Sequence, residues 1–382
     1  MKTIKLIPEN QSKNSIISSS SHPAKSNNNG QSLDALGRAL TDVRISLIDK
    51  CNFRCTYCMP KSVFNHDYQF LTKNDLLSFS EVYLLSSAFV KLGTEKIRLT
   101  GGEPLLRKNI DILIKEIADL RTMRNNPVEI ALTTNGVLLM DKAEKLLDAG
   151  LKRITVSLDS LDQSIFESLS DTNFNVKKIL RGIEHAKKIG LGVKVNMVVK
   201  RGVNDCQIIP MAKYFKENQI TLRFIEFMDV GSVNSWEKQK VFSSQEVLDL
   251  LNQKFNFVYA GRDNVSEVSE KWKYVDDSAE IGLISSVSKP FCRNCSRARV
   301  SAEGILYTCL FASSGVDLKP ILRAKINEAK HRTINNENRI VHNLKKNIGN
   351  LWSLRNDRYS ELRITNSKRI VGKKIEMSYI GG

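Results

Sequence analysis

From about residue 42 the chain repeats one pattern six times, a short β-branched run followed by a longer helical pattern. The runs are Val43 to Ile48, Lys96 to Thr100, Val128 to Thr134, Arg153 to Leu158, Val193 to Val199 and Thr221 to Phe227. Strands that alternate with helices are joined by crossovers, so the pattern predicts a parallel sheet and an α/β fold. Six units give either an open doubly wound sheet or an incomplete (βα)6 barrel of the TIM type, and both place ligands beyond the carboxyl ends of the strands. Unusual residues follow the strands: Cys51 after the first, Gly101-Gly102-Glu103-Pro104 after the second, Thr134-Asn135-Gly136 after the third and Asp159 after the fourth.

The rhythm stops near residue 230. Residues 34–230 are expected to form the partial barrel, and residues 231–382 a smaller C-terminal α+β domain. That domain carries Trp236, a strand-like stretch from Ile281 to Val287, a polar, basic, helical stretch over 320–360, and a terminal Gly381-Gly382. Residues 1–33 are expected to be a disordered leader, because the Ser- and Asn-rich stretch over 8–32 has too few large apolar groups to offset its ordering entropy. A targeting peptide is the competing reading, weakened by the lack of Arg there. No apolar run approaches the ~18 residues of a membrane span, and the first residues break too early for a signal-peptide core, so a cytoplasmic protein without a membrane partner is expected.

Seven cysteines, six of them in two tight sets, make a poor disulfide framework for 382 residues without a secretion signal. Metal or cluster ligation accounts for them better. Cys51-Asn-Phe-Arg-Cys55-Thr-Tyr-Cys58 lets one loop gather three sulfurs. Iron-sulfur clusters usually take four cysteines, so three thiolates suit a cubane with one iron open to a ligand. Structural cysteines or a zinc knuckle are the plainer readings, but zinc normally takes four ligands and no His lies in this loop. Cys292, Cys295 and Cys309 form a second three-thiol set, with Arg297 and Arg299 two apart beside it. In an extended stretch those two arginines share a face suited to bidentate contact with phosphate oxygens. Cys206 matches neither set and is expected to be a small buried residue.

Cys-x3-Cys-x2-Cys behind the first strand, together with Gly101-Gly102-Glu103-Pro104, resembles the radical S-adenosylmethionine superfamily. The Cys-x2-Cys-x-Arg-x-Arg-x9-Cys arrangement resembles the GTP 3',8-cyclase family within it, which acts first in molybdenum cofactor biosynthesis. The likeness runs from about Asp34 to the end and includes Leu36-Gly37-Arg38, Lys96 to Leu105, Leu132 to Gly136 and Arg223 to Met228. It implies two 4Fe-4S clusters, on Cys51, Cys55 and Cys58 and on Cys292, Cys295 and Cys309. S-adenosylmethionine would chelate the first cluster's open iron and lie near Tyr57, Gly102, Glu103, Ser157 and Met228. The guanine of GTP would bind the second cluster's open iron. Arg44, Lys96, Arg98, Thr133, Lys194 and Arg223, with Arg297 and Arg299, would surround the triphosphate or ribose. The implied partners are GTP, an electron donor and a cyclic pyranopterin monophosphate synthase that takes the product, in a monomer or homodimer. The Gly381-Gly382 tail would insert toward the catalytic cavity.

Ile48, Lys50, Ser296, Ile305 and Tyr307 depart from that family's pattern. Tyr307 stands where a basic residue is expected, which puts one peripheral phosphate contact in doubt. A net charge of +17 favours anionic partners without choosing among them. One alternative is therefore a radical enzyme that modifies a peptide or RNA. Another is a cluster-bearing regulator that binds DNA, but no recognition motif or concentrated basic face supports it.

Overall fold

The computed structural model describes residues 26–324, 334–365 and 374–381. The six anticipated strands are present as β1 (Asp42–Ser46), β2 (Lys96–Thr100), β3 (Glu129–Thr134), β4 (Arg153–Ser157), β5 (Gly192–Val199) and β6 (Thr221–Glu226). Each pairs in parallel with the next. Six helices connect them and cover the outer face: α1 (Phe79–Val90), α2 (Ile110–Ala118), α3 (Leu139–Asp148), α4 (Gln163–Ser170), α5 (Val176–Lys188) and α6 (Ile208–Glu217). Local chemistry fixes their starts. Ser78 and Glu81 form a reciprocal capping box on α1, and Asp162 and Asn175 accept first-turn N–H groups of α4 and α5.

The chain continues through α7 (Ser244–Asn252), β7 (Phe257–Gly261), β8 (Glu270–Tyr274), β9 (Glu280–Ile284), β10 (Arg297–Val300), β11 (Ile305–Tyr307) and β12 (Val316–Asp317). It ends with α8 (Lys319–Arg323), α9 (Ile334–Ser353), α10 (Tyr359–Thr365) and α11 (Met377–Ile380). The C-terminal part is α+β in content, but its strands do not found a sheet of their own. All twelve strands lie in one sheet, in the order β12-β11-β10-β1-β2-β3-β4-β5-β6-β9-β8-β7. Because β10 joins β1 and β9 joins β6 in parallel, the six-stranded barrel core is lengthened at both edges. Side chains from β1 to β6, β9 and β10 all face one cavity of about 1070 Å³, so the sheet curves around it.

Residues 26–33, assigned above to the leader, are a correction. Asn27 Oδ1 accepts from the N–H groups of Asn29 and Gln31, Ser32 N–H donates to Leu92 O at 3.0 Å, and Gln31 packs on Gly93. These short polar side chains satisfy the backbone of a tight turn against the end of α1, which composition does not register. Residues 1–25 lie outside the described residues. No helix among the described residues is long and apolar enough to cross a membrane.

Candidate functional site

The two cysteine sets open onto opposite ends of the same cavity. Cys51, Cys55 and Cys58 follow β1 and sit at the carboxyl end of the parallel strands. Cys292 and Cys295 precede β10, whose Arg297 lies opposite Asp42 at the start of β1. Antiparallel β11 then carries the chain back to Cys309. The second set therefore lies at the amino end of the barrel, opposite the residues that follow the strands. The reason is that β10 enters the sheet parallel to β1 with its cysteines ahead of it rather than behind.

The first loop is pinned from beneath. Phe53 is buried with its ring 5.7 Å from Phe166 and 5.9 Å from Phe174. Arg54 donates to the carbonyls of Cys51, Phe53 and Phe64 at 2.8 to 2.9 Å. Gly102 lies so close to the Lys50 carbonyl that a Cβ there would collide with it, and Glu103 N–H donates to that carbonyl at 2.8 Å. Its glycine thus lets the Gly101–Pro104 turn lie on the cysteine loop. Burial pushes Cys51 up to about 11 and Cys58 up to about 12, and drives Cys55 well above its ordinary value. Neighbouring thiols and the carboxylates of Glu103, Asp159 and Glu376 add to this.

Such thiols ionise only when a cationic centre compensates them, which is what cluster iron supplies. All seven cysteines are free. Among the described residues no three His, Cys, Asp or Glu side chains converge closely enough for a single metal ion. Thiolate is the ligand that iron-sulfur clusters take, so each three-thiol set fits such a cluster in chemistry.

The residues expected near S-adenosylmethionine gather at the same end. Tyr57, Gly102, Glu103, Ser157 and Met228 all line the cavity. Tyr57 Oη donates to Asp159 Oδ2 at 2.5 Å, while Asp159 Oδ1 accepts from Val198 N–H. Burial raises Asp159 to about 6. Glu103, 1% exposed, accepts from Thr134 Oγ1, Asn135 N–H and Leu105 N–H, yet burial still lifts it to about 7.

Between the two ends runs a belt of cations on alternate strand positions. Arg44, Lys96, Arg98, Thr133, Lys194, Arg223, Arg297 and Arg299 all line the cavity, as does Arg153, which the sequence reading passed over as a strand's first residue. Alternation along β4 from Ser157 through Thr155 would have found it. Carboxylates hold part of the belt: Asp42 on Arg297 at 3.5 Å, Glu280 on Lys194 at 3.7 Å, and Glu129 on Lys96 and Arg153. Arg98 donates to Thr133 Oγ1 and Thr155 Oγ1, and Arg223 also donates to Thr155 Oγ1. The Nε atoms of Arg44, Arg98 and Arg223 are buried without a partner. Burial, with mutual repulsion, lowers Arg98 to about 10, Arg223 and Arg299 to about 9 and Lys96 to about 8. A desolvated, incompletely paired set of this kind is built to receive an anion.

The C-terminal segment closes on the belt. Gly381 O accepts from Arg44 Nη1 at 3.3 Å and from Arg299 Nη1, and Met377 and Ser378 line the cavity. Gly382 lies outside the described residues. Tyr307 pairs with Arg299 across β10 and β11, on the same face of the sheet, but does not line the cavity. It is 1% exposed and packs with Ile305, Ile375 and Ile380, its hydroxyl unpartnered. Cys206 is exposed, against expectation. Asn204 takes the buried place in that turn, donating to Asp159 O and Val198 O at 2.9 Å.

At the second end, burial works to raise Cys295, but Arg355 and Arg297 outweigh it and leave the thiol below its ordinary value. Burial pushes Cys309 up to about 12.

The chain is similar to known proteins in sequence and in fold. Residues 45–215 match the Radical SAM superfamily model, and residues 220–361 match the Molybdenum Cofactor Synthesis C model. The chain is 44% identical over 354 residues to "GTP 3',8-cyclase" of Staphylococcus aureus strain MRSA252, covering 91% of this chain and 98% of that protein. The protein of the same name from strain JH9 gives the same figures. Among solved structures, Streptococcus suis SuiB bound to S-adenosylmethionine shares the fold, with a TM-score of 0.50 and 13% identity over 72% of this chain and 60% of that one.

Proposed function

The chain belongs to the GTP 3',8-cyclase family of radical S-adenosylmethionine enzymes, and from this premise we propose that it converts GTP to (8S)-3',8-cyclo-7,8-dihydroguanosine 5'-triphosphate inside the cavity between its two cysteine sets. The observation that carries the reading is the cationic belt suspended between two three-thiol sets at opposite ends of one cavity. Cys51, Cys55 and Cys58 would hold one 4Fe-4S cluster and Cys292, Cys295 and Cys309 the other. When bound, the first cluster and S-adenosylmethionine would supply a 5'-deoxyadenosyl radical able to take the hydrogen atom from C3' of the ribose; the bond from that carbon to guanine C8 leaves an unpaired electron on the base, which one further electron and one proton would quench to give the 7,8-dihydro product.

The protein's own groups orient and shield. Glu103 and Gly102 receive the methionine amino group, and Tyr57 is held for the adenosyl moiety by its bond to Asp159. Ser157 and Met228 complete that end. Arg44, Arg98, Arg223, Arg297 and Arg299, with Lys96, Lys194 and Thr133, neutralise the triphosphate and fix the ribose between the two ends. In a dry cavity such contacts are stronger than at the surface and hold the reacting carbons together. The reaction would draw on an electron donor, and a cyclic pyranopterin monophosphate synthase would take the product. A cytoplasmic setting supplies the nucleotide.

Anaerobic turnover of reconstituted, reduced protein with S-adenosylmethionine, with and without GTP, tests the reading. GTP-dependent 5'-deoxyadenosine together with a cyclised nucleotide is expected. Cleavage of S-adenosylmethionine with no GTP-derived product would move the substrate to another class.

A further inference from the structure

The second cysteine set is assembled from two separated segments, and a buried three-residue network holds both. Asp34 accepts from Arg38 Nε at 2.5 Å and from Arg355 Nη1 at 3.2 Å, with side chains 0%, 3% and 1% exposed. Arg38 Nη1 donates to Cys292 O and to Asp357 O, each at 2.8 Å. Arg355 Nη1 donates to Cys295 O at 2.7 Å, and its Nε donates to the carbonyl of Thr308, the residue before Cys309, at 3.0 Å. The backbone at or next to each thiol is thus gripped by one of two guanidiniums. Trp352 backs the pair, donating from Nε1 to Arg38 O at 3.0 Å and lying 4.5 Å under the Arg355 guanidinium.

We propose that Asp34, Arg38 and Arg355 are positioning residues for the second iron-sulfur cluster, clamping its three cysteines and presenting a free guanidinium N–H to it. The inference rests on the assignment of Cys292, Cys295 and Cys309 to that cluster. Two observations lead there. One buried carboxylate, Asp34, is shared by two buried guanidiniums, whereas Asp357, 3.5 Å from Arg355 Nε, is 33% exposed, so only one of the two counter-charges is buried. Buried charge of that kind is costly unless something compensates it. Second, Arg38 lines the cavity, and its Nη2 is buried with no hydrogen-bond partner. A cluster ligated by thiolates is anionic and accepts N–H bonds at sulfur, so it supplies both the counter-charge and the missing acceptor. Hydrogen bonds to cluster sulfur and positive charge beside it raise reduction potential. Outer residues that orient ligands typically change metal affinity when removed.

The test uses the full-length chain reconstituted anaerobically, as wild type and as Arg38→Met, Arg38→Lys, Arg355→Met and Cys295→Ser. Iron and sulfide per chain, iron loss to a chelator, and the midpoints of both clusters by redox-titrated electron paramagnetic resonance are read. Arg38→Met and Arg355→Met are expected to weaken iron retention at the second cluster roughly 10–100-fold. They should also move its midpoint to lower potential and leave the first cluster unchanged. Arg38→Lys, which keeps the charge but not the fork, should fall between.

Wild-type retention and midpoints in both Met variants, with Cys295→Ser reduced to one cluster, would overturn the clamp and leave the ligand assignment standing. Two clusters in Cys295→Ser would overturn the assignment itself. If Arg355→Met fails to fold, the first cluster's signal is lost too, and Arg38→Lys decides. Selective weakening of the second cluster supports the clamp, and equal weakening of both rejects it.

Discussion

The two cysteine sets have the same number of thiols and share one cavity, but the charges around them differ: carboxylates predominate at the first and guanidiniums at the second. The first lies among carboxylates: Glu103 beside Cys51, Asp159 beside Cys55, and Asp159 and Glu376 beside Cys58, all acting in the same direction as burial. The second lies among guanidiniums, and at Cys295 they reverse what burial alone would do. The reversal is confined to Cys295, since at Cys309 burial dominates and the Asp357 carboxylate adds to it against Arg355. An anionic setting disfavours adding an electron and so makes a strong reductant, as cleavage of a sulfonium requires. A cationic setting suits a centre that holds an anionic nucleotide. The difference teaches that spacing marks a cluster, whereas the charges gathered around it by the fold mark its task.

The sharpest way to break this division is to remove one ligand at each end. Cys58→Ser is expected to reduce both 5'-deoxyadenosine formation and cyclised product to background. Cys295→Ser is expected to keep S-adenosylmethionine cleavage and lose the cyclised nucleotide, both followed by mass spectrometry. Equal loss of both products in the two variants would contradict the division.

Next in size is the belt between the ends. Arg299 is 3% exposed and Arg98 7%, so truncating either to Ala removes a desolvated contact worth about 2–5 kcal/mol, or roughly 30- to several-thousand-fold in GTP affinity. Calorimetric titration of GTP checks this, and S-adenosylmethionine affinity should stay within a few-fold.

A smaller effect comes from Lys96, which burial, Arg98 and Arg153 hold at about 8, below the ordinary 10.5. A lysine with a depressed folded value loses its charge early, so folding stability from this group rises as pH climbs from about 8 toward 10.5. Substrate binding takes the opposite sign, because the triphosphate needs the ammonium. Above pH 8, kcat/KM for GTP should therefore fall by about tenfold, the loss of one charge-assisted hydrogen bond. Lys96→Arg should move that decline to higher pH.

The smallest change is expected at Tyr307→Phe. The hydroxyl is buried and unpartnered and Tyr307 does not line the cavity, so stability should shift by less than about 1 kcal/mol, with GTP affinity unchanged. A marked loss of GTP binding would return Tyr307 to the substrate contacts.

The barrel was readable because each strand is a β-branched run followed by a helical pattern, and β2 begins and ends where the sequence places it. The two thiol sets were readable because ligand spacing is local. What escaped depends on pairing across the whole chain. Nothing near Arg297 says that it will lie parallel to Asp42, and that single register moves the second set to the amino end of the barrel. Arg153 was hidden for a milder reason, since a charge at a strand's start reads as a solvated edge until the strand is curved around a cavity. Asp34 and Arg355, 321 residues apart in the chain, become partners only when the fold brings them together beneath the second cysteine set.

The central claim is that a radical generated at the first end takes hydrogen from the ribose held in the belt. GTP carrying deuterium at C3', turned over once anaerobically, tests it most directly. The account predicts deuterium in 5'-deoxyadenosine and a cyclised nucleotide that has lost it. Unlabelled 5'-deoxyadenosine beside a fully labelled nucleotide would contradict it.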